Sequence, residues 1–213
     1  MMFNSANLEL ILRRVKTMSD NYNFFAMVNR MKYIDRWALM PNTQKENIAE
    51  HSHSVAVIAH ALALIGKREF GKDYDENRVA VLALYHDTTE VITGDMPTPV
   101  KYYNDDIKSV YKDIEAVAGQ RLLAMLPDDY RAEYNSLFKP NEDEKELWKL
   151  VKAADKISAL IKCIEENRMG NREFDIALKA QEQKIADIDM PEVKYFSDHF
   201  LKAYYLTLDE HTK

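Results

Sequence analysis

NIAEHSHSVAVIAHALALIG, residues 47–66, reads as one amphipathic helix with a histidine on its inner side. Asn47 is a good N-cap, since its side-chain oxygen can accept from a free backbone N–H of the first turn. Glu50, three residues on, completes a capping box. At about 100° per residue, Val55, Ile58, Leu62 and Ile65 fall within about 40° of His51, so His51 looks into the core. A histidine in the first turn sits at the positive end of the helix dipole, which disfavours its protonation. Neutral imidazole is the form a metal needs. His53 and His60 fall on the opposite face, as surface or supporting histidines. Gly66 is the expected stop.

Two further stretches repeat the pattern of a polar residue on an apolar helical face. In LALYHDTTE, residues 82–90, Val79, Leu82 and Ala83 share the face of His86 on a helix expected over about 77–93, and Glu90 lies one turn beyond. In VKAADKISA, residues 151–159, Asp155 shares its face with Trp148, Val151 and Ala159 on a long helix expected over about 142–168. Each site has a plain structural reading: a satisfied core histidine, a polar helix end, an aspartate paired with Lys152, Lys156 or Lys162. Together, two imidazoles (His51, His86) and two carboxylates (Asp87, Asp155) arriving from three helices form a divalent-metal cage. Buried charge is costly unless paired or metal-bound, and a mixed N/O donor set admits Mn, Fe, Co, Ni or Zn. That pattern points to a metal-dependent hydrolase.

The rest of the chain reads as helix and loop. A helix over about 23–40 carries Phe24, Phe25, Val28, Met31 and Ile34 and ends at Pro41. Near its end, Arg36 offers paired donors to a phosphate and Trp37 can wall a sugar or base, or the pair is a packed indole beside a solvated guanidinium. Asp95 opens the loop DMPTPV, which Pro97 and Pro99 stiffen and which can present a carboxylate and backbone groups to a ligand. Further helices are expected over about 105–126, 172–187 and 190–207, with a short piece at 128–138 after Pro127. No strand-like alternation stands out, so the fold class is all-α.

Composition narrows the function. The 213 residues suit one domain, with 1–22 as an N-terminal extension of unknown role and 23–213 as the main body. Hydrophobic residues at 46% supply a core, and only 5 glycines and 6 prolines favour helix. A net charge of −6 argues against a nucleic-acid polymer or an anionic membrane as partner. The single cysteine, Cys163, excludes an internal disulfide and fits a reducing cytoplasm. No targeting segment and no apolar run of membrane-spanning length is evident.

The order His51, His86-Asp87, Asp155 resembles the signature of the HD-domain metal phosphohydrolases. The surrounding words RWALM (36–40), ENIAEHS (46–52), LALYHDTTEVITGDMPTPVKYYN (82–104), KLVKAADKISALIKCIEE (149–166) and LTLDE (206–210) are more specific. They resemble the bacterial YfbR family of 5′-deoxynucleotidases, in order and spacing, from about Phe24 to the C-terminus. The resemblance implies an HD-domain helical bundle with the metal site between helices. It implies a cytoplasmic homodimer that uses one divalent metal ion to hydrolyse deoxyribonucleoside 5′-monophosphates. By position, His51, His86, Asp87 and Asp155 would be metal ligands, with His51, Asp87 and Asp155 also facing substrate. Glu90 would be the catalytic acid/base. Arg36 would be catalytic and phosphate-binding, Trp37 sugar-contacting, and Asp95, Met96, Pro97 and Thr98 a substrate-contacting loop. Preference for deoxy over ribo substrates is expected, with little regard for the base, since few Asn, Gln or Arg in these motifs could read base edges.

Three rivals stand beside this reading. Another HD-type activity on nucleoside triphosphates, alarmones or cyclic nucleotides would want more cations than Arg36, Lys101 and Lys112. A binding module without catalysis would not need Glu90 and Arg36. A di-iron oxygenase would want further histidine ligands, and His53 and His60 face away.

Overall fold

The computed structural model describes residues 22–101, 103–139 and 141–212. The N-terminal extension expected over 1–22 lies, apart from Tyr22, outside them. The described residues form helices α1 (Phe24–Val28), α2 (Ile48–Phe70), α3 (Glu76–Tyr85), α4 (Glu90–Thr93), α5 (Thr98–Lys101), α6 (Asp105–Leu123), α7 (Arg131–Phe138), α8 (Lys145–Arg168), α9 (Asp175–Ala186), α10 (Pro191–His199) and α11 (Leu208–His211), with 3₁₀ turns between. Among the described residues, β pairing is limited to one isolated bridge, Asp35 with Asn47. The fold is all-α.

α2 is the central helix. Its capping box forms as expected: Asn47 Oδ1 accepts from Glu50 N at 3.0 Å, and Glu50 Oε2 accepts from Asn47 N at 3.3 Å. Val55, Ile58, Ala59, Leu62 and Ile65 on its inner face are buried with His51. They pack against α3 and α8, with α9 laid on α8 and α10 on α2. Val79, Leu82, Leu150, Ile157, Leu160 and Ile164 fill the space between. A smaller core gathers Phe24 with Leu122, Leu123 and Leu126. By composition alone α2 could cross a membrane, but 56% of its most apolar window is buried inside the protein, as befits a core helix.

Several boundaries depart from the sequence reading. α2 runs through Gly66 and ends at Gly71, whose φ of 63° supplies the left-handed cap. Gly66 has a different purpose: a Cβ there would stand 2.6 Å from the Tyr74 ring. The helix expected over 23–40 is five residues of α-helix and a 3₁₀ turn to Tyr33, then a short extended step and an irregular turn. Pairing with the α2 entry wins over the apolar periodicity, as Arg36 N donates to Glu46 O and Ile48 N to Ile34 O. The helix expected over 77–93 breaks after Tyr85 and restarts at Glu90. The β-branched pair Thr88-Thr89 falls in the break, which β-branched residues tolerate better than a helix interior. The loop 95–100 gives way to α5 at Thr98. α11 was not foreseen.

Candidate active site

The first turn of α2, the end of α3 and the middle of α8 bring His51, His86, Asp87 and Asp155 together. Donor atoms of His51, His86 and Asp87 lie within 4.8 Å of one another. His51 Nε2 lies 3.0 Å from Asp155 Oδ1 and 3.6 Å from Asp87 Oδ2, and His86 Nε2 lies 3.1 Å from Asp87 Oδ2. Yet neither Nε2, each buried, has a hydrogen-bond partner. Ring nitrogens close to carboxylates without hydrogen-bond geometry are donors converging on a common centre. Of the lysines weighed as partners for Asp155, Lys162 bonds Glu166 and the Gln44 carbonyl instead.

The back of each ring fixes its front. His86 Nδ1 is 2.7 Å from the Ala83 carbonyl oxygen, to which only an Nδ1–H can donate. His51 Nδ1 faces Ser158 Oγ at 3.3 Å and, farther off, Glu46 Oε1 at 3.8 Å. In both rings a proton on Nδ1 leaves the Nε2 lone pair free for a cation. The residues present therefore fit a divalent metal ion.

Charge in the site is tightly coupled. Burial works against the His86 imidazolium, but Asp87 and Asp155 outweigh it and push His86 up to about 9. Burial works equally against Asp87, and His86, His51 and Arg36 outweigh it, holding Asp87 far below the usual range. Asp155 is lowered too, burial being overcome by His51. A bound cation would take the place of the proton on His86. Arg36 reaches this cluster with Nη1 3.4 Å from Asp87 Oδ2. Burial opposes its charge, but Asp87, Asp155, Glu46 and Asp95 raise its pKa.

Glu90 opens α4 just past the break, not one turn along a continuous helix. It is 5% exposed and its Oε2 has no hydrogen-bond partner. Burial, with Asp87 and Asp95 nearby, pushes it up to about 9, Arg36 and Lys101 offsetting only part. Asp95 is raised by burial as well, though a hydrogen bond from the Trp37 backbone amide favours its charged form.

The cluster opens into a cavity of about 680 Å³ lined by Arg36, Trp37, Asp95, Met96, Pro97, Thr98 and Asp155. Every substrate-contacting residue named from the sequence on the two flanking loops is present there. Arg36 and Trp37 reach it from irregular chain rather than a helix end, and Trp37 adopts a φ of 57°. His53 is exposed and His60 only partly buried, both away from the cage. The sequence reading missed Leu39, Met40, Pro99, Lys156, Ala159, Gln181 and Lys184 in the lining. It also missed Glu46, which accepts from Arg36 Nε at 3.2 Å and from Trp37 Nε1 at 3.1 Å. Position 46, just before the α2 N-cap, reads as solvated loop; the only signal was its place in the motif around His51.

Comparison with known proteins gives the family and the fold. Residues 23–204 match the model of a family described as 5′-deoxynucleotidase YfbR-like. A 5′-deoxynucleotidase of Shewanella oneidensis is 47% identical over 191 residues, covering 90% of this chain and 98% of that protein. An HD-domain phosphohydrolase of Listeria innocua superposes with a TM-score of 0.76 at 23% identity, over 90% of this chain and 92% of the other. The HD phosphohydrolase of cyanophage S-2L, solved with dA and one catalytic Zn²⁺, gives a TM-score of 0.56 at 20% identity, over 83% and 95%.

Proposed function

Since this chain belongs to the YfbR-like 5′-deoxynucleotidase family, we propose how its own residues carry out that activity. The enzyme hydrolyses deoxyribonucleoside 5′-monophosphates to deoxynucleoside and phosphate. The observation that carries the assignment of roles is the pair of buried, unpartnered Nε2 atoms of His51 and His86 beside Asp87 and Asp155, under Arg36 and Glu90.

His51, His86, Asp87 and Asp155 would hold one divalent ion. Such an ion supplies Lewis acidity at the phosphate and lowers the pKa of a neighbouring water. Which of Mn, Fe, Co, Ni or Zn serves is set by supply as much as by these borderline donors. Arg36 donates to the phosphoryl oxygens and offsets charge that grows there in the transition state. Its charge is secure, because four carboxylates surround it. Glu90 holds a proton at neutral pH and passes it to the leaving 5′-oxygen.

Asp95 accepts from the 3′-hydroxyl. Trp37 is tied to it through the backbone hydrogen bond, and its indole, beside the sugar, leaves little space for a 2′-hydroxyl. Away from Arg36 the cavity is lined by Leu39, Met40, Pro97, Pro99 and Ala159, with Gln181, Lys156 and Lys184 as its polar members. A base is held there by contact more than by edge recognition, so base preference is weak. We place the enzyme in the cytoplasm as a homodimer, with 1–22 an extension outside the catalytic domain of 23–213.

The test is phosphate release from a panel of ribo- and deoxyribonucleoside mono-, di- and triphosphates with the metal varied. Turnover confined to triphosphates, or absent with every metal, would overturn the assignment.

A further inference from the structure

Glu46 is a largely covered carboxylate that the catalytic roles above leave unused. Its side chain is 15% exposed. One oxygen, Oε2, accepts from both Arg36 Nε at 3.2 Å and Trp37 Nε1 at 3.1 Å. The same two segments are joined through the backbone, Arg36 N donating to Glu46 O at 2.9 Å. A solvated surface glutamate would not be placed so. A carboxylate kept from water is retained only if its acceptors are used.

Trp37 needs such a partner. Its φ of 57° is uncommon for a bulky residue and persists only where surrounding contacts over-determine it. Its backbone is held by Asn42 Nδ2 and Met40 N on the carbonyl, and by Asp95 on the amide. Its ring leans on Phe174, centroids 5.4 Å apart. Of these contacts only the packing on Phe174 touches the ring, and packing sets no direction for the indole N–H. The hydrogen bond to Glu46 sets it. Glu46 is itself placed from below: Glu166, buried on α8, accepts from the Thr43 and Gln44 amides at 2.9 and 3.1 Å.

We propose that Glu46 is a positioning residue for substrate selection, acting through Trp37 and Arg36; this rests on the deoxynucleotidase reading given above. The carboxylate sets the indole where it excludes a 2′-hydroxyl and sets the guanidinium where it meets the phosphate. Holding both ends of the substrate at one separation turns a small steric difference into discrimination, because the sugar cannot shift. The other oxygen, Oε1, stands 3.8 Å from His51 Nδ1, beyond hydrogen-bond range, while Ser158 lies closer. Loss of Glu46 therefore falls first on the two side chains that it bonds, Arg36 and Trp37.

The experiment measures kcat/KM for dAMP and AMP, with metal content, on the holoenzyme and on Glu46→Ala and Glu46→Gln, each also in a Trp37→Ala background. Glu46→Ala should lower the dAMP:AMP ratio about tenfold, the worth of a charge-assisted hydrogen bond, and raise KM for dAMP more than it lowers kcat. Glu46→Gln keeps an acceptor but loses the charge, so the ratio should fall less. In Trp37→Ala, adding Glu46→Ala should leave the ratio unchanged, since the two act as one unit. Metal content should hold throughout. A selective wild type whose ratio survives in the folded variants, or a loss confined to metal content, overturns this inference alone. If Glu46→Ala fails to fold, an unmoved ratio in Glu46→Gln does the same. A wild-type ratio near one overturns the selectivity reading and this inference with it.

Discussion

His51 Nε2 and Asp155 Oδ1 stand 3.0 Å apart where α2 and α8 cross, without forming a hydrogen bond. A buried imidazole and a partly exposed carboxylate that approach so closely and do not bond are held by the helices, not by each other. An ion between them resolves the mismatch. We expect His51→Ala, His86→Ala, Asp87→Ala and Asp155→Ala each to lose metal. Activity should fall by more than the roughly 10–100-fold that losing a supporting partner costs. Elemental analysis of each purified variant checks this; full occupancy with normal turnover would remove that residue from the cage.

Glu90 differs from these four in having no place among the converging donor atoms. Glu90→Ala should keep the metal and bind dAMP with near-normal affinity, yet lose roughly 10²–10⁴-fold in kcat. Calorimetric titration with dAMP beside turnover separates the two effects. If affinity collapses with rate, Glu90 holds the ion or the fold rather than a proton.

The protonation of Glu90 has a signature in stability. Its carboxyl titrates near 9 in the metal-free protein and near 4.5 when unfolded. Between those values the folded state binds more protons than the unfolded one, so this group's contribution to stability is lost as pH rises. Glu90→Gln mimics the protonated form. The metal-free variant should match wild type near pH 4.5 and exceed it in Tm by a margin that widens towards pH 9. A constant margin across that range would show that Glu90 is ionised in the fold.

How much of this was written in the chain follows from where the information lies. The capping box of Asn47 and Glu50 and the inward stripe of His51, Val55, Ile58 and Leu62 are local, and both formed. The approach of His51, His86, Asp87 and Asp155 was legible because each broke an apolar face that had to be buried. Glu46 was not, because its meaning depends on Arg36 and Trp37 folding back over it. That fold-back cancelled the helix expected to Met40, as backbone pairing at Asp35 and Asn47 overrode periodicity. Gly66 misled for a similar reason. A glycine in a helix pattern suggests a stop, whereas here it admits the Tyr74 ring, a neighbour the local sequence does not announce.

Selectivity for the sugar should rest on Trp37. Arg36 and Asp95 flank the same cavity, one reaching the phosphate site beside Asp87 and the other bound to the Trp37 backbone amide. Substrate anchored by both phosphate and 3′-hydroxyl has no room to slide away from the indole. A 2′-hydroxyl then meets the ring as a steric clash, which penalises the ribonucleotide more than a merely missing contact would. We expect kcat/KM for dAMP to exceed that for AMP by at least about 10²-fold, with dAMP and dTMP within roughly tenfold of each other. Trp37→Ala should narrow the dAMP–AMP gap chiefly by improving AMP, since the ring's removal relieves the clash while Arg36 and Asp95 still hold the ends. Equal rates for dAMP and AMP in the wild-type enzyme would mean that the sugar wall does not exist. A gap that survives Trp37→Ala would move the wall to another lining side chain, Met96 or Pro97 first.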